Sequence, residues 1–128
     1  MTSVRGLNHI TLAVRDVSRA VKFYVEGLGL TLRKQWKTGA YLEAGSLWLC
    51  LSHDDNTPTT PHKDYTHLAF DVRSNEIDEL TTQIKSAGGI CWKENRSEGE
   101  SFYFTDLDGH KLEIHSGTLT SRLAAMPC

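Results

Sequence analysis

Two histidines stand at matching places in a chain that repeats itself. Residues 7 to 30 (LNHITLAVRDVSRAVKFYVEGLGL) and 65 to 89 (YTHLAFDVRSNEIDELTTQIKSAGG) follow one plan, and His9 and His67 open its two copies. Neutral imidazoles joined by one carboxylate suit a divalent metal such as Mn, Fe, Ni or Zn, with positions left open for substrate. A single strand histidine is ordinarily just hydrogen-bonded and half-buried. The matched pair, with Glu113 on the same face, points instead to a metal centre. His110 and His115 compete for the role, but His110 falls in a hairpin turn and has no repeat partner. His53 and His62 lie in or beside a linker and read as solvated. A second cluster is KENRSEGES, where Lys93, Arg96, Ser97 and Ser101 crowd beside the proposed metal face. By composition it is an ordinary charged loop. By position, and with Arg122 folding back, it suits the oxygens of a phosphorylated or phosphonylated substrate.

The elements that position these residues follow from apolar spacing. In 9–14 the alternation puts Ile10, Leu12 and Val14 on one strand face and His9, Thr11 and Ala13 on the other. Asp16 is placed to cap a helix whose Val17, Ala20, Val21, Tyr24, Val25 and Leu28 form a stripe, ended at Gly27 and Gly29. In the second copy Leu68, Phe70 and Val72 oppose His67, Ala69 and Asp71. Ser74 is expected to cap a helix striped by Ile77, Leu80, Ile84 and Ala87 and stopped by Gly88-Gly89. Further strands follow in AYLEAGSLWLCL and in SFYFTDLDGHKLEIH, the latter a hairpin turning at Asp108-Gly109. The expected order is β-α-β-β-β, twice. By parity alone His9, Thr11, Trp48, His67, Ser101, Tyr103 and Glu113 all occupy helix-free faces, as does Cys50, which reads as packing.

Composition bounds the rest. With 128 residues the chain is long enough for a real core, and we expect a single domain: repeat one about 5–52, linker about 53–64, repeat two about 65–117, tail 118–128. A net charge of −2 implies neither a nucleic-acid groove nor a membrane patch. No apolar run approaches the roughly 20 residues that span a bilayer, and MTSVRGLNH lacks the apolar stretch of a secretory signal. Cys50, Cys91 and Cys128 form no CxxC pair, so neither a disulfide framework nor a zinc knuckle is indicated. A reduced, cytoplasmic protein is expected.

The duplicated plan resembles the vicinal oxygen chelate (glyoxalase) superfamily. GLNHITLAV, GAYLEAGSLWLCLS, YTHLAF, WKENRSEGESFYFTDLDGHKLEIH and GTLTSRLAA are similar to the fosfomycin-resistance glutathione transferases of the FosA type, across nearly the whole chain. The resemblance implies an α+β fold of two βαβββ repeats forming a concave mixed sheet, in a domain-swapped homodimer. It implies a Mn(II)-dependent addition of glutathione to the epoxide of fosfomycin, other divalent metals being acceptable. His9, His67 and Glu113 would be the metal ligands, His9 coming from the opposite chain. Lys93, Ser97, Tyr103 and Arg122 match phosphonate-holding positions, and Trp48 and Tyr65 match the pocket lining. Thr11 matches the threonine near the epoxide oxygen. Asn95, Ser97, Gly99 and Ser101 match a loop that binds an activating K+. Trp36, Tyr41, Ser52 and Arg96 fall in the glutathione channel.

Four alternatives share the fold, one of them a related group that uses a different low-molecular-weight thiol and whose loop lacks the NRSEGES pattern. A related group hydrolyses fosfomycin with a carboxylate base, for which Glu43 is the nominee. Drug-sequestering relatives bind without catalysis and generally lack the metal trio. Extradiol dioxygenases use the same ligand set with Fe(II), but a site carrying Lys93, Ser97 and Arg122 for a dianion suits a catechol poorly.

Overall fold

Strand β1 runs His9–Val14, with Leu12 and Val14 buried and His9 and Thr11 exposed, as the alternation requires. The structure, a computed structural model, describes residues 1–127. Cys128, the third cysteine of the sequence, lies outside the described residues. Asp16 caps helix α1 (Val17–Lys22), its carboxylate accepting from the Arg19 amide at 3.0 Å. Beyond Lys22 the chain departs from the single regular helix expected there. Phe23–Gly27 is a π turn, and the wider turn brings Phe23 as well as Tyr24 into the core, each 1% exposed. A 3.6-residue period would have buried Tyr24 and left Phe23 facing away. The two rings meet edge to face at 5.3 Å, and Phe23 reaches Phe104 of the second repeat at 6.4 Å.

Strands β2 (Thr31–Trp36), β3 (Gly39–Ala44) and β4 (Leu47–His53) complete a four-stranded sheet in the order β1-β4-β3-β2. Only the β1–β4 pairing is parallel, placing His9 beside Trp48 and Thr11 beside Cys50. The second repeat follows the same plan with β5 (Leu68–Asp71), α2 (Ile77–Ala87), β6 (Ile90–Lys93), β7 (Glu100–Thr105) and β8 (Lys111–Ser116). Its sheet order is β5-β8-β7-β6, with β5 parallel to β8. Within one chain these are two separate mixed sheets, and β1 and β5 are edge strands. A short helix α3 (Leu119–Ala125) comes after β8, its capping box formed by Thr118 and Ser121.

Ser74 does not cap α2. A 3₁₀ turn, Ser74–Glu76, precedes the helix, and the Ser74 hydroxyl donates to Glu100 at 2.7 Å instead. Gly88 closes α2 in the left-handed conformation, as expected.

The repeats join through their helices and one turn. A Cβ on Gly27 would stand 3.1 Å from the Ala87 Cβ, so the bare glycine lets α2 lie close on the π turn. The turn Asp106-Leu107-Asp108-Gly109-His110 then straps the halves together. Tyr24 donates to Asp106 Oδ2 at 2.5 Å, the Arg15 amide donates to Asp108 Oδ1 at 2.9 Å, and His110 Nε2 donates to the Ala13 carbonyl at 2.7 Å. One His110 ring nitrogen is therefore spent on backbone, in the strap that joins the repeats. Helices and strap cover one face of each sheet. The uncovered faces carry the chemistry.

Candidate metal and anion site

The second sheet brings His67 and Glu113 together. His67 immediately precedes β5 and Glu113 lies on β8, with Nε2 and Oε1 3.1 Å apart. The other imidazole nitrogen, Nδ1, is 2.9 Å from the Tyr65 carbonyl. A carbonyl only accepts, so Nδ1 carries the hydrogen and Nε2 turns its lone pair toward the carboxylate. Two lone pairs at that distance need a cation between them, a proton or a metal. Glu113 is 5% exposed, and its second oxygen is already taken by the Ser101 hydroxyl at 2.6 Å. One nitrogen and one oxygen, each oriented by a backing hydrogen bond, suit a divalent metal.

Aromatic rings wall this pair. Tyr65 stacks on His67 at 5.1 Å, while Trp92 and Tyr103 meet it edge-on at 5.6 and 5.9 Å. Lys93 donates to the Tyr65 hydroxyl and lies over the Tyr65 and Tyr103 rings at 4.8 and 4.7 Å. The hydrogen bond to Tyr65 raises the lysine's pKa above its usual value, so it stays cationic beside the carboxylate. Trp92 is a site residue that strand periodicity does not reveal. A register shift between Cys91 and Lys93 breaks the alternation of β6, so both Trp92 and Lys93 contact the site. Parity gives no warning of a bulge.

The loop from β6 to β7 folds on itself. Asn95 donates to the Gly99 carbonyl at 2.9 Å and accepts from the amide and hydroxyl of Ser97 at 3.1 and 3.0 Å. Arg96 is exposed there. Arg122 of α3 reaches Glu98 at 3.5 Å. Ser101 and His115, on adjacent strands, lie 2.6 Å apart. Alternation already places His115 on the strand face of Glu113, opposite Ser101; Glu98 does not stand out in the sequence, because loop closure rather than periodicity brings it in.

The first sheet carries a separate surface. His9 packs on Trp48 at 4.4 Å, Trp48 on Tyr41 at 5.2 Å, and Tyr41 on Trp36 at 4.8 Å. Thr11 and Ser52 share that face by register with Cys50 and Ala13. His9 Nδ1 is 2.7 Å from the Asn8 side-chain oxygen, which leaves Nε2 for a ligand. His9 does not meet His67 and Glu113 within one chain. Among the described residues no three His, Cys, Asp or Glu side chains gather as a metal site. The chain thus presents His67 with Glu113 on one sheet and His9 on the other. A concavity of about 830 Å³ between the repeats, lined by Leu30, Ala44, Asp71, Glu79 and others, contains neither. Both lie on open faces.

Residues 6–114 match the family model of the Glyoxalase/Bleomycin resistance protein/Dioxygenase superfamily. The glutathione transferase FosA of Serratia marcescens is 52% identical over 124 residues, 95% of this chain and 88% of that protein. The metallothiol transferase FosB of Staphylococcus epidermidis is 37% identical over 125 residues, 94% of this chain and 90% of that one. Among solved structures, the fosfomycin resistance protein FosX of Listeria monocytogenes, with Mn(II) and 1S,2S-dihydroxypropylphosphonic acid, superposes with a TM-score of 0.83 at 32% identity. That match covers 94% of this chain and 97% of the FosX chain. The duplicated βαβββ fold and these likenesses agree: the chain belongs to the glyoxalase/bleomycin resistance protein/dioxygenase superfamily, in its fosfomycin-resistance branch.

Proposed function

We propose that this protein inactivates fosfomycin by adding glutathione to its epoxide. The observation that carries the reading is the His67–Glu113 pair with cationic Lys93 beside it, in a chain 52% identical to a glutathione transferase. His67 and Glu113 of one subunit, with His9 of a second, would hold Mn(II) in a homodimer. The divided half-sites support that arrangement. Bound there, Mn(II) supplies Lewis-acid stabilisation of charge on the oxygen as the ring opens.

The chain's own residues do the rest. Lys93, Ser97, Tyr103 and Arg122 hold the phosphonate, and Trp48 and Tyr65 wall the pocket. This presents one epoxide carbon to the incoming thiolate. As the carbon–sulfur bond forms and the carbon–oxygen bond breaks, Thr11 hydrogen-bonds the leaving oxygen, which takes up a proton equivalent to the one the glutathione thiol gave up and ends as a hydroxyl. Asn95, Ser97, Gly99 and Ser101 would supply oxygens for K+. Trp36, Tyr41, Ser52 and Arg96 line the path of glutathione. The nucleophilic sulfur arrives with glutathione, so the chain's cysteines have no part, and the reaction belongs in the cytoplasm.

Hydrolysis is the competing outcome. Its nominee, Glu43, is ion-paired with Arg33 at 3.0 Å, which ill suits a general base. Phosphorus NMR of fosfomycin with purified protein, Mn(II) and K+, run with and without glutathione, tests the proposal. A new adduct signal only with glutathione, abolished in His67→Ala, is expected. Product without any thiol would establish hydrolysis, and no reaction in either sample would refute the resistance activity.

A further inference from the structure

His115 takes no part in the proposed reaction, yet the structure builds a place for it. Its side chain is 15% exposed, and its ring lies between two glycines. A Cβ on Gly99 would stand 2.9 Å from the ring's Cε1, and one on Gly117 would stand 2.6 Å from Nε2. Any larger residue at either position would collide with the imidazole.

The hydrogen bonds fix a direction. Ser101 Oγ is 2.6 Å from Glu113 Oε2 and 2.6 Å from His115 Nδ1. A carboxylate oxygen accepts, so the single Ser101 hydrogen goes to Glu113. Ser101 must then accept from His115, whose Nδ1 carries the hydrogen. The direct contact between His115 Nδ1 and Glu113 Oε2 is longer, at 3.5 Å, so the serine carries the link. At the far edge of the ring, Glu98 Oε1 stands 3.8 Å from Nε2 and 3.5 Å from Arg122 Nε. His115 is therefore flanked by Ser101 on one side and by Glu98, itself paired with Arg122, on the other.

We infer that His115 is a positioning residue for the metal site, acting through Ser101 to hold Glu113 with Oε1 toward His67. The two oxygens of a glutamate are chemically alike, and rotation about the last side-chain bond is soft. Without a fixed donor on Oε2 the carboxylate can turn either oxygen away. Backing hydrogen bonds of this kind, one removed from the ligand, typically change metal affinity 10–100-fold when lost. The inference rests on the proposed metal reading but not on the transfer of glutathione.

The test is the Mn(II) dissociation constant of the full-length protein, read from the electron paramagnetic resonance signal of free Mn(II) in K+-free buffer. His115→Phe fills the glycine-lined slot without a donor and should weaken binding about 10-fold or more, while His115→Asn returns an amide donor near the Nδ1 position and should stay within about threefold. Ser101→Ala should match His115→Phe, and combining the two should cost little more, since both break one chain. Should His115→Phe fail to fold, His115→Leu, which also lacks a donor, takes its place in the comparison with His115→Asn. Wild-type affinity in His115→Phe, or equal losses in His115→Phe and His115→Asn, would overturn the positioning role. Wild-type protein that binds Mn(II) but leaves fosfomycin unconjugated would sink the proposed activity alone. Wild-type protein that binds no Mn(II) would sink both.

Discussion

The strap between the repeats can be tested through one hydrogen bond. Asp106 is 5% exposed, and burial raises its pKa from the ordinary 3.8 despite donors from Tyr24, Asp108 and His110. A carboxyl whose folded pKa is raised stabilises the fold below its unfolded pKa and loses that contribution as pH rises through the folded value. Tyr24→Phe removes one donor from a carboxylate that is charged at neutral pH and protonated in acid. The expected cost is about 1.5–3 kcal/mol at neutral pH and about 1 kcal/mol once Asp106 is protonated. At about 4 °C per kcal/mol for a chain of this size, Tm should fall roughly 6–12 °C near neutrality and about 4 °C in acid. Asp106→Asn should trend the other way. It removes the group that gains from acid, so its gap to wild type should be widest at low pH and narrow as pH rises. Thermal melts across this range, at one fixed protomer concentration, read both gaps. Parallel curves for the two variants would refute the account, because they would mean that Asp106 titrates alike in the folded and unfolded chain.

The divided metal site makes a sharper prediction about assembly. His9→Ala and His67→Ala should each be inactive, yet refolded together they should recover about a quarter of wild-type activity, since random pairing makes half the dimers mixed and each mixed dimer rebuilds one of two sites. A silent mixture of properly dimeric variants would show that His9 and His67 do not serve one site. Lys93→Met should raise KM for fosfomycin by roughly tenfold or more and leave that for glutathione unchanged; equal effects on both would remove Lys93 from phosphonate binding.

Residues whose roles follow from strand periodicity can be found in the sequence, while those that depend on loop closure or a bulge cannot. Parity places His9, Thr11 and Trp48 on one face and His67, Ser101, Tyr103 and Glu113 on another, because a strand turns every second side chain the same way. It is silent on whether the two faces meet, and within one chain they do not. Helical spacing finds the stripe through Tyr24 but misses Phe23, since a π turn inserts its extra residue without changing composition. Ser74 has the chemistry of a cap, whose oxygen accepts from a helix amide, but its hydroxyl here donates to Glu100, 26 residues along the chain. Trp92 is hidden by the β6 bulge, whereas alternation sets His115 on the face of Glu113 and says nothing of the slot between Gly99 and Gly117 that holds its ring. The same distinction explains the DxDGH motif. Its histidine competes for the metal in the sequence, but the partners of Asp106, Asp108 and His110 are Tyr24, Arg15 and Ala13, more than 80 residues earlier. Acidic and imidazole side chains of this turn are spent on joining one repeat to the other, which leaves Glu113 as the buried carboxylate whose Oε1 faces a histidine nitrogen.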